Sequence, residues 1–212
     1  MSSPEYLIDG KANASVTVIL AHGAGAPMDS PFMETFAKGL AETGLRCVRF
    51  EFPYMVDRRV TGSRKPPNRM PIMMETWRAV VRDFDKGPLV IGGKSMGGRV
   101  ASMLAANLDE DRQSVAGLAC LGYPFHPSGK PEKLRLDHFA ALRTPTLILQ
   151  GTRDALGGRE EVLGYQLPTC VNLHWLEDGD HSFKPRVKSG RTEPQNWQEA
   201  IQALSEFAVG CT

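Results

Sequence analysis

Between Leu89 and Val100 the chain reads Leu-Val-Ile-Gly-Gly-Lys-Ser-Met-Gly-Gly-Arg-Val, an apolar run that meets glycines, one hydroxyl and then a helical pattern. Gly93, Ser95 and Gly97 fit G-x-S-x-G. A strand that reverses into a helix within about one residue crowds its own backbone, and only hydrogen side chains at 93 and 97 relieve that crowding. The turn strains the serine at its apex and lifts its hydroxyl above the sheet edge, while the N-terminus of the next helix points at developing negative charge. Ser95 is therefore mounted as a nucleophile, and the rest of the chain reads as its support.

Two other uses of these glycines fail on spacing. A phosphate-binding loop, G-x-x-x-x-G-K-[ST], would need its first glycine at position 88, which is Pro88, and would replace the strand-like Leu89, Val90 and Ile91 with loop. Gly23-Ala24-Gly25 opens a dinucleotide fingerprint, but the third glycine position holds Met28.

With 212 residues, 42% of them apolar, the chain is expected to form a single domain over 1–212. A formal charge of +1 argues against nucleic-acid binding by the molecule as a whole. Cys47, Cys120, Cys170 and Cys211 lack CxxC spacing, and three lie in or beside predicted strands, where a free thiol acts as a small apolar residue. A reduced, cytoplasmic protein is expected. No apolar run has the length of a signal or a membrane span, so neither secretion by that route nor membrane insertion is expected.

Taken in order, a short edge strand at 6–8 precedes Val16–Leu20, β-branched and apolar on both faces as a buried parallel strand must be. Ser30 is placed to cap a helix with Pro31 in its first turn and Met33, Phe36, Ala37 and Leu40 on one face, stopping at Gly44. A strand at 46–52 should lead into a basic, proline-rich loop reaching Met70, then a helix from Pro71 to Asp85. After the Ser95 turn, a helix places Val100, Met103, Leu104 and Leu108 together. Strands at 116–121, 146–149 and 171–175 follow, with a short helix within 131–142 and another over 158–167. Thr192 and Gln195 stand in capping-box register before a last helix expected to bury Trp197, Ile201, Leu204 and Phe207. Alternating strands and helices predict six to seven mostly parallel strands covered on both faces.

In such sheets ligands bind beyond the carboxyl ends of the strands, so the residues that follow each apolar run carry the chemistry. A serine hydroxyl needs a base near pKa 7, and the base needs a carboxylate to hold its tautomer. Strand ends supply Ser95, Asp154 and His181, with Asp178 and Asp180 as substitute acids. Of the other histidines, His138 lies in a helical pattern, His174 inside a strand, His126 beside Pro127, and His22 before Gly23, where shaping a turn is its expected task. No histidine spacing suits a metal, and neither metal nor cofactor is expected. Backbone N–H groups of Met96 and Ala24, with Gly25 as runner-up, are the candidates for an oxyanion hole.

With these residues identified, the strand and elbow, Gln150-Gly151-Thr152-Arg153-Asp154 and Asp180-His181-Ser182-Phe183 resemble the α/β-hydrolase superfamily over nearly the whole chain. His22-Gly23-Ala24-Gly25-Ala26, Phe52-Pro53-Tyr54-Met55 and Gly92–Arg99 resemble a small branch of it. That branch includes bacterial predicted hydrolases, testis-expressed protein 30 and a subunit of a chromatin-modifying complex. The resemblance implies an α/β-hydrolase fold and a serine esterase or thioesterase. The alternative is a catalytically silent interaction module, and peptidase, perhydrolase and dienelactone-type reactions stay open on the same scaffold. Between Leu121 and Thr144 there is no room for a substantial lid, so an open site and no interfacial activation are expected.

Charge is the sequence's one clue to substrate. Arg58, Arg59, Arg64, Lys65 and Arg69 against Asp57 make residues 57–69 locally +4, and Lys184, Arg186, Lys188 and Arg191 make 184–191 another +4. Both segments leave the sheet beside Ser95, where they would focus positive potential on a ligand. Two readings follow: solvated loops that touch nothing, or a rim that takes an anionic acyl substrate or an acidic protein partner. For the second, Arg58, Arg59 and Arg186 are the leading contacts, with His22, Tyr54, Tyr123 and Phe125 as further substrate-lining candidates.

Overall fold

Each buried strand is apolar on both faces because each face has its own helical cover. The computed structural model describes residues 4–111 and 114–212. Among these, seven strands form one sheet: β1 (Tyr6–Asp9), β2 (Thr17–Ala21), β3 (Arg46–Phe50), β4 (Leu89–Lys94), β5 (Gly117–Leu121), β6 (Thr146–Gly151) and β7 (Val171–Leu176). Their spatial order is β1-β3-β2-β4-β5-β6-β7, with β1 antiparallel to β3 and every other pair parallel. Helices α1 (Pro31–Glu42) and α6 (Glu193–Gly210) pack on one face against Val18, Leu20, Cys47, Val90, Ala119, Leu147 and Leu149. Helices α3 (Met70–Asp83) and α4 (Met96–Glu110) pack on the other against Ile19, Val48, Phe50, Ile91, Leu118 and Ile148. Consecutive strand residues alternate between the two cores, as a period of two requires.

The chain runs from β2 outward to β3 and then returns past β2 to lay β4 on its other side. The connections therefore diverge between β2 and β4, and a crevice opens beyond their carboxyl ends. The segments that follow these two strands are His22–Ala24 and Ser95.

The expected loop at 53–70 is in part a helix, α2 (Pro53–Thr61). Phe52 is extended, Pro53 supplies the first-turn φ, Tyr54 and Met55 are buried, and Gly62 closes the helix at φ 69°. Proline here starts a helix rather than breaking one, and only 62–69 is loop. The helix expected over 158–167 shrinks to α5 (Arg159–Val162), because Gly164 and Tyr165 bond back by three residues and Pro168 follows. Residues 131–142 yield only a 3₁₀ turn at Asp137–Ala140. Ser30 occupies the N-cap of α1, but its hydroxyl makes no capping bond. The Thr192–Gln195 capping box forms reciprocally at α6. That helix buries Ile201 and Leu204 fully, with Trp197 and Phe207 only half-buried. Cys47 and Cys120 are buried free thiols. Among the described residues, no helix is long and apolar enough to cross a membrane.

Candidate active site

Ser95 sits between β4 and α4 with φ 53° and ψ −116°, a conformation that L-residues hold only where the surroundings enforce it. The enforcement is a backbone bond from its N–H to the Leu121 carbonyl, 3.0 Å, and the close passage of β2. Gly93 has φ 155°, and a Cβ there would lie 2.3 Å from the Ala21 carbonyl oxygen. One on Gly97 would lie 2.4 Å from the same atom and 2.6 Å from the His22 oxygen. Both motif glycines are therefore required by contact with β2 and the turn after it.

His181 reaches Ser95 from the loop after β7. Its Nε2 is 2.8 Å from the serine Oγ, and its Nδ1 is 2.7 Å from Asp154 Oδ2 on the loop after β6. The Asp154 side chain is fully buried. Its Oδ2 also accepts from Gln150 Nε2 at 2.9 Å, and its Oδ1 accepts from the Leu156 N–H at 2.8 Å. With Asp154 Oδ2 accepting at Nδ1, that nitrogen carries the imidazole proton and Nε2 faces the serine hydroxyl as an acceptor. The two substitute acids are otherwise engaged. Asp178 is bound by Arg186 and Arg153, and Asp180 receives the N–H groups of Ser182 and Lys184. The loops that carry Asp154 and His181 meet through bare backbone. The Arg153 N–H bonds to the Gly179 carbonyl, and a Cβ on Gly151 would lie 2.4 Å from the Gly179 and Asp180 oxygens.

Across the crevice, the carbonyls of Gly23, Ala24 and Gly25 are held by side chains. His22 Nδ1 donates to Gly23 O at 2.6 Å, Tyr54 Oη donates to Ala24 O at 3.0 Å, and Arg58 donates to Gly25 O at 3.2 Å. His22 Nε2 accepts from the Phe52 N–H, and burial keeps this ring neutral by pushing its pKa down. Among the described residues, the N–H groups of Ala24, Gly25 and Met96 donate to no protein acceptor. They are available to a ligand oxygen, with Met96 at the first turn of α4.

This arrangement corrects the list of substrate-lining residues. His22 and Tyr54 are buried and shape the turn, and Arg58 braces its outer carbonyl. Tyr123 and Phe125 are wholly buried; Tyr123 bonds through its hydroxyl to Arg135 O and through its N–H to Gln150 Oε1. Arg59 is clamped by Glu51 at 2.7 Å and Asp29 at 2.6 Å. Arg186 forms a fork with Asp178, so neither arginine presents a free charge to the crevice. Their partners lie 8 to 30 residues away along the chain, beyond a local count of charge.

Two residues were not singled out by the sequence reading. Gln150 is buried and bridges Tyr123, Asp154 and Gly157, fixing the Asp154 carboxylate. Lys94, directly before Ser95, donates to the His181 carbonyl and places its ammonium 5.4 Å and 5.7 Å from the Phe32 and Phe183 ring centroids. A charged residue at the end of an otherwise apolar strand was the visible signal. A second serine–histidine contact, Ser102 with His138 at 2.7 Å, has the serine donating to Arg99 O, while burial lowers the histidine to about 4. No carboxylate hydrogen-bonds this histidine among the described residues, so it lacks the third member.

Burial lowers the Lys94 pKa from 10.5 to about 8. In the unfolded chain the amine keeps its proton up to its ordinary value, so the folded state carries a desolvation penalty below pH 8 that fades between 8 and 10.5. Lys94→Met is expected to raise stability at pH 7 by on the order of 2 kcal/mol, a gain that shrinks as pH rises through this window. Thermal melts of both proteins from pH 7 to pH 10 check the sign and the slope.

The same architecture recurs among solved structures. An alpha-beta serine hydrolase homologue from Coxiella burnetii is 25% identical over 94% of this chain and 90% of that one, with a TM-score of 0.65. A serine hydrolase without lid from Xanthomonas campestris (22% identity, 93% and 86% covered, TM-score 0.67) shares the fold. So does a dienelactone hydrolase from Anabaena variabilis (19% identity, 97% and 97% covered, TM-score 0.70). Residues 14–209, which hold Ser95, Asp154 and His181, match the family model of an alpha/beta hydrolase domain, and the chain belongs to that family.

Proposed function

We propose that the protein is a serine hydrolase for small esters or thioesters. Ser95 is its nucleophile, His181 its general base and then acid, and Asp154 the group that orients the histidine. The observation that carries this reading is the unbroken hydrogen-bond chain from Asp154 through His181 to Ser95 at the carboxyl edge of the sheet. Ser95 Oγ attacks the acyl carbon as its proton passes to His181 Nε2, and Asp154 stabilises the imidazolium. The N–H groups of Met96 and Ala24 receive the oxyanion; they are fixed beforehand and need no reorganisation. His181 then gives the proton to the departing alkoxide or thiolate, leaving an acyl-enzyme. Water, deprotonated by the same nitrogen, releases the acid and restores the serine. Between β5 and β6 the chain forms loop and one 3₁₀ turn, which supports an open site for soluble substrates. The motifs shared with the branch that includes testis-expressed protein 30 support placing the chain there, and the four free thiols support a cytoplasmic location.

A fluorophosphonate probe tests the reading directly. Wild type is expected to be labelled covalently and Ser95→Ala to stay blank. Absence of label on folded wild type, or equal label on both, overturns it in favour of a silent interaction module.

A further inference from the structure

At the rim Arg59, Arg186 and Arg191 are paired with carboxylates, but two arginines on the α4 side of the site are not. Arg99 lies one helical turn after Ser95 on α4, its N–H bonded to the Ser95 carbonyl at 3.0 Å. Arg135 lies in the loop that follows β5, its N–H bonded to the Phe125 carbonyl at 2.8 Å and its own carbonyl holding the Tyr123 hydroxyl. Among the described residues, neither guanidinium has a hydrogen-bond partner or a carboxylate within ion-pair distance. Arg99 Nε is buried with no partner. Burial, and after it the Arg99 charge, lowers the pKa of Arg135, so the two groups feel each other. His138, also within reach of the Arg99 charge, is too far depressed to add positive charge near neutrality.

Two half-buried like charges with no counter-ion are unfavourable in the free protein, and a bound anion relieves both the repulsion and the missing hydrogen bonds. Helical side chains lean toward the helix N-terminus, and that end of α4 carries Ser95. Residues one turn apart are on the order of 6 Å from each other, so an anion held here lies within one short substrate of the reacting carbon. The planar fork of arginine matches a carboxylate with two parallel bonds.

We propose that Arg99 and Arg135 form a carboxylate subsite, and that the substrate is a half-ester or half-thioester of a short dicarboxylic acid, whose free carboxylate they hold. This rests on the serine-hydrolase reading for its chemistry but not for its binding. It moves the anion preference from Arg59 and Arg186, which are locked in ion pairs, to the flank of α4.

The test has two readouts. The first is the ratio of kcat/KM for mono-p-nitrophenyl glutarate over that for p-nitrophenyl pentanoate, a neutral ester of equal length. Wild type is expected to favour the glutarate, less so at high salt, and Arg135→Gln and Arg99→Gln are each expected to lower the ratio about ten- to a hundred-fold. Arg186→Gln is expected to leave the ratio unchanged. The second is glutarate binding by calorimetry to Ser95→Ala, which does not depend on turnover and is expected to vanish with Arg135→Gln added. Arg135 is in a surface loop, so this variant serves if Arg99→Gln does not fold. No glutarate binding to Ser95→Ala, or a wild-type ratio near one that Arg135→Gln does not change, overturns the subsite while the probe labelling stands. Binding without probe labelling overturns the hydrolase reading and keeps the subsite.

Discussion

Asp154→Asn is expected to lower kcat on any ester the protein turns over by on the order of ten-thousand-fold, with the fold intact. The reason lies in the three donors around the carboxylate. If the asparagine keeps its oxygen on the Leu156 N–H, its NH₂ group falls where Oδ2 met His181 Nδ1 and Gln150 Nε2. It then donates to Nδ1, and the imidazole must carry its proton on Nε2, facing Ser95 Oγ. A base that is already protonated cannot take the serine's proton. The opposite flip keeps the oxygen on His181 Nδ1 and Gln150 Nε2 but sets NH₂ against the Leu156 N–H, at about 1–3 kcal/mol for an unsatisfied buried donor, and there the neutral amide no longer stabilises the imidazolium as the carboxylate does. Initial rates on p-nitrophenyl esters, with a thermal melt to show folding, check the result. A variant within ten-fold of wild type removes Asp154 from the role proposed for it.

Gly97→Ala is expected to damage both stability and activity. The added methyl would stand 2.4 Å and 2.6 Å from two backbone oxygens, those of Ala21 at the end of a buried strand and His22 in the turn that offers Ala24 N–H. Neither is the far end of a flexible side chain, so α4 must lift away from β2. Overpacking of this kind costs roughly 3 kcal/mol, which for a chain of this size lowers Tm by about 6–12 °C. The same shift separates Met96 N–H from Ala24 N–H, and losing one oxyanion donor costs about a hundred- to a thousand-fold in kcat. Gly25→Ala is the control: nothing lies within 4 Å of its Cβ position, and its melting temperature is expected to stay near wild type.

The parts of this molecule that were legible in its sequence are those governed by neighbours along the chain. Apolar runs at positions 16–20, 89–93 and 146–149 announce buried parallel strands, and glycines two residues either side of Ser95 announce the sharp turn. Ser95, Asp154 and His181 were found together because each follows the end of a strand, and parallel topology brings such ends to one edge. What was not legible depends on partners far away in sequence. Arg59 and Arg186 look like free cations until Glu51, Asp29 and Asp178 are folded against them. Tyr54 looks like a lining residue until its hydroxyl is seen on the Ala24 carbonyl. The basic segment after Phe52 hid α2, because its prolines and arginines have the composition of a loop, while its helical start depends on Pro53 standing at the first position.

The contact between Gly151 and the Gly179–Asp180 backbone limits how such a chain can diversify. A side chain at 151 would push apart the loops that carry Asp154 and His181, so a substitution there needs a compensating change across the gap in the same lineage. The two loops are thus inherited as a pair. Segments 62–67 and 128–134, exposed and on separate connections, accept change one residue at a time, with 128–134 leading directly to Arg135. Descendants of this chain can therefore retune what they bind many times over while the relay that would do the chemistry passes down unaltered.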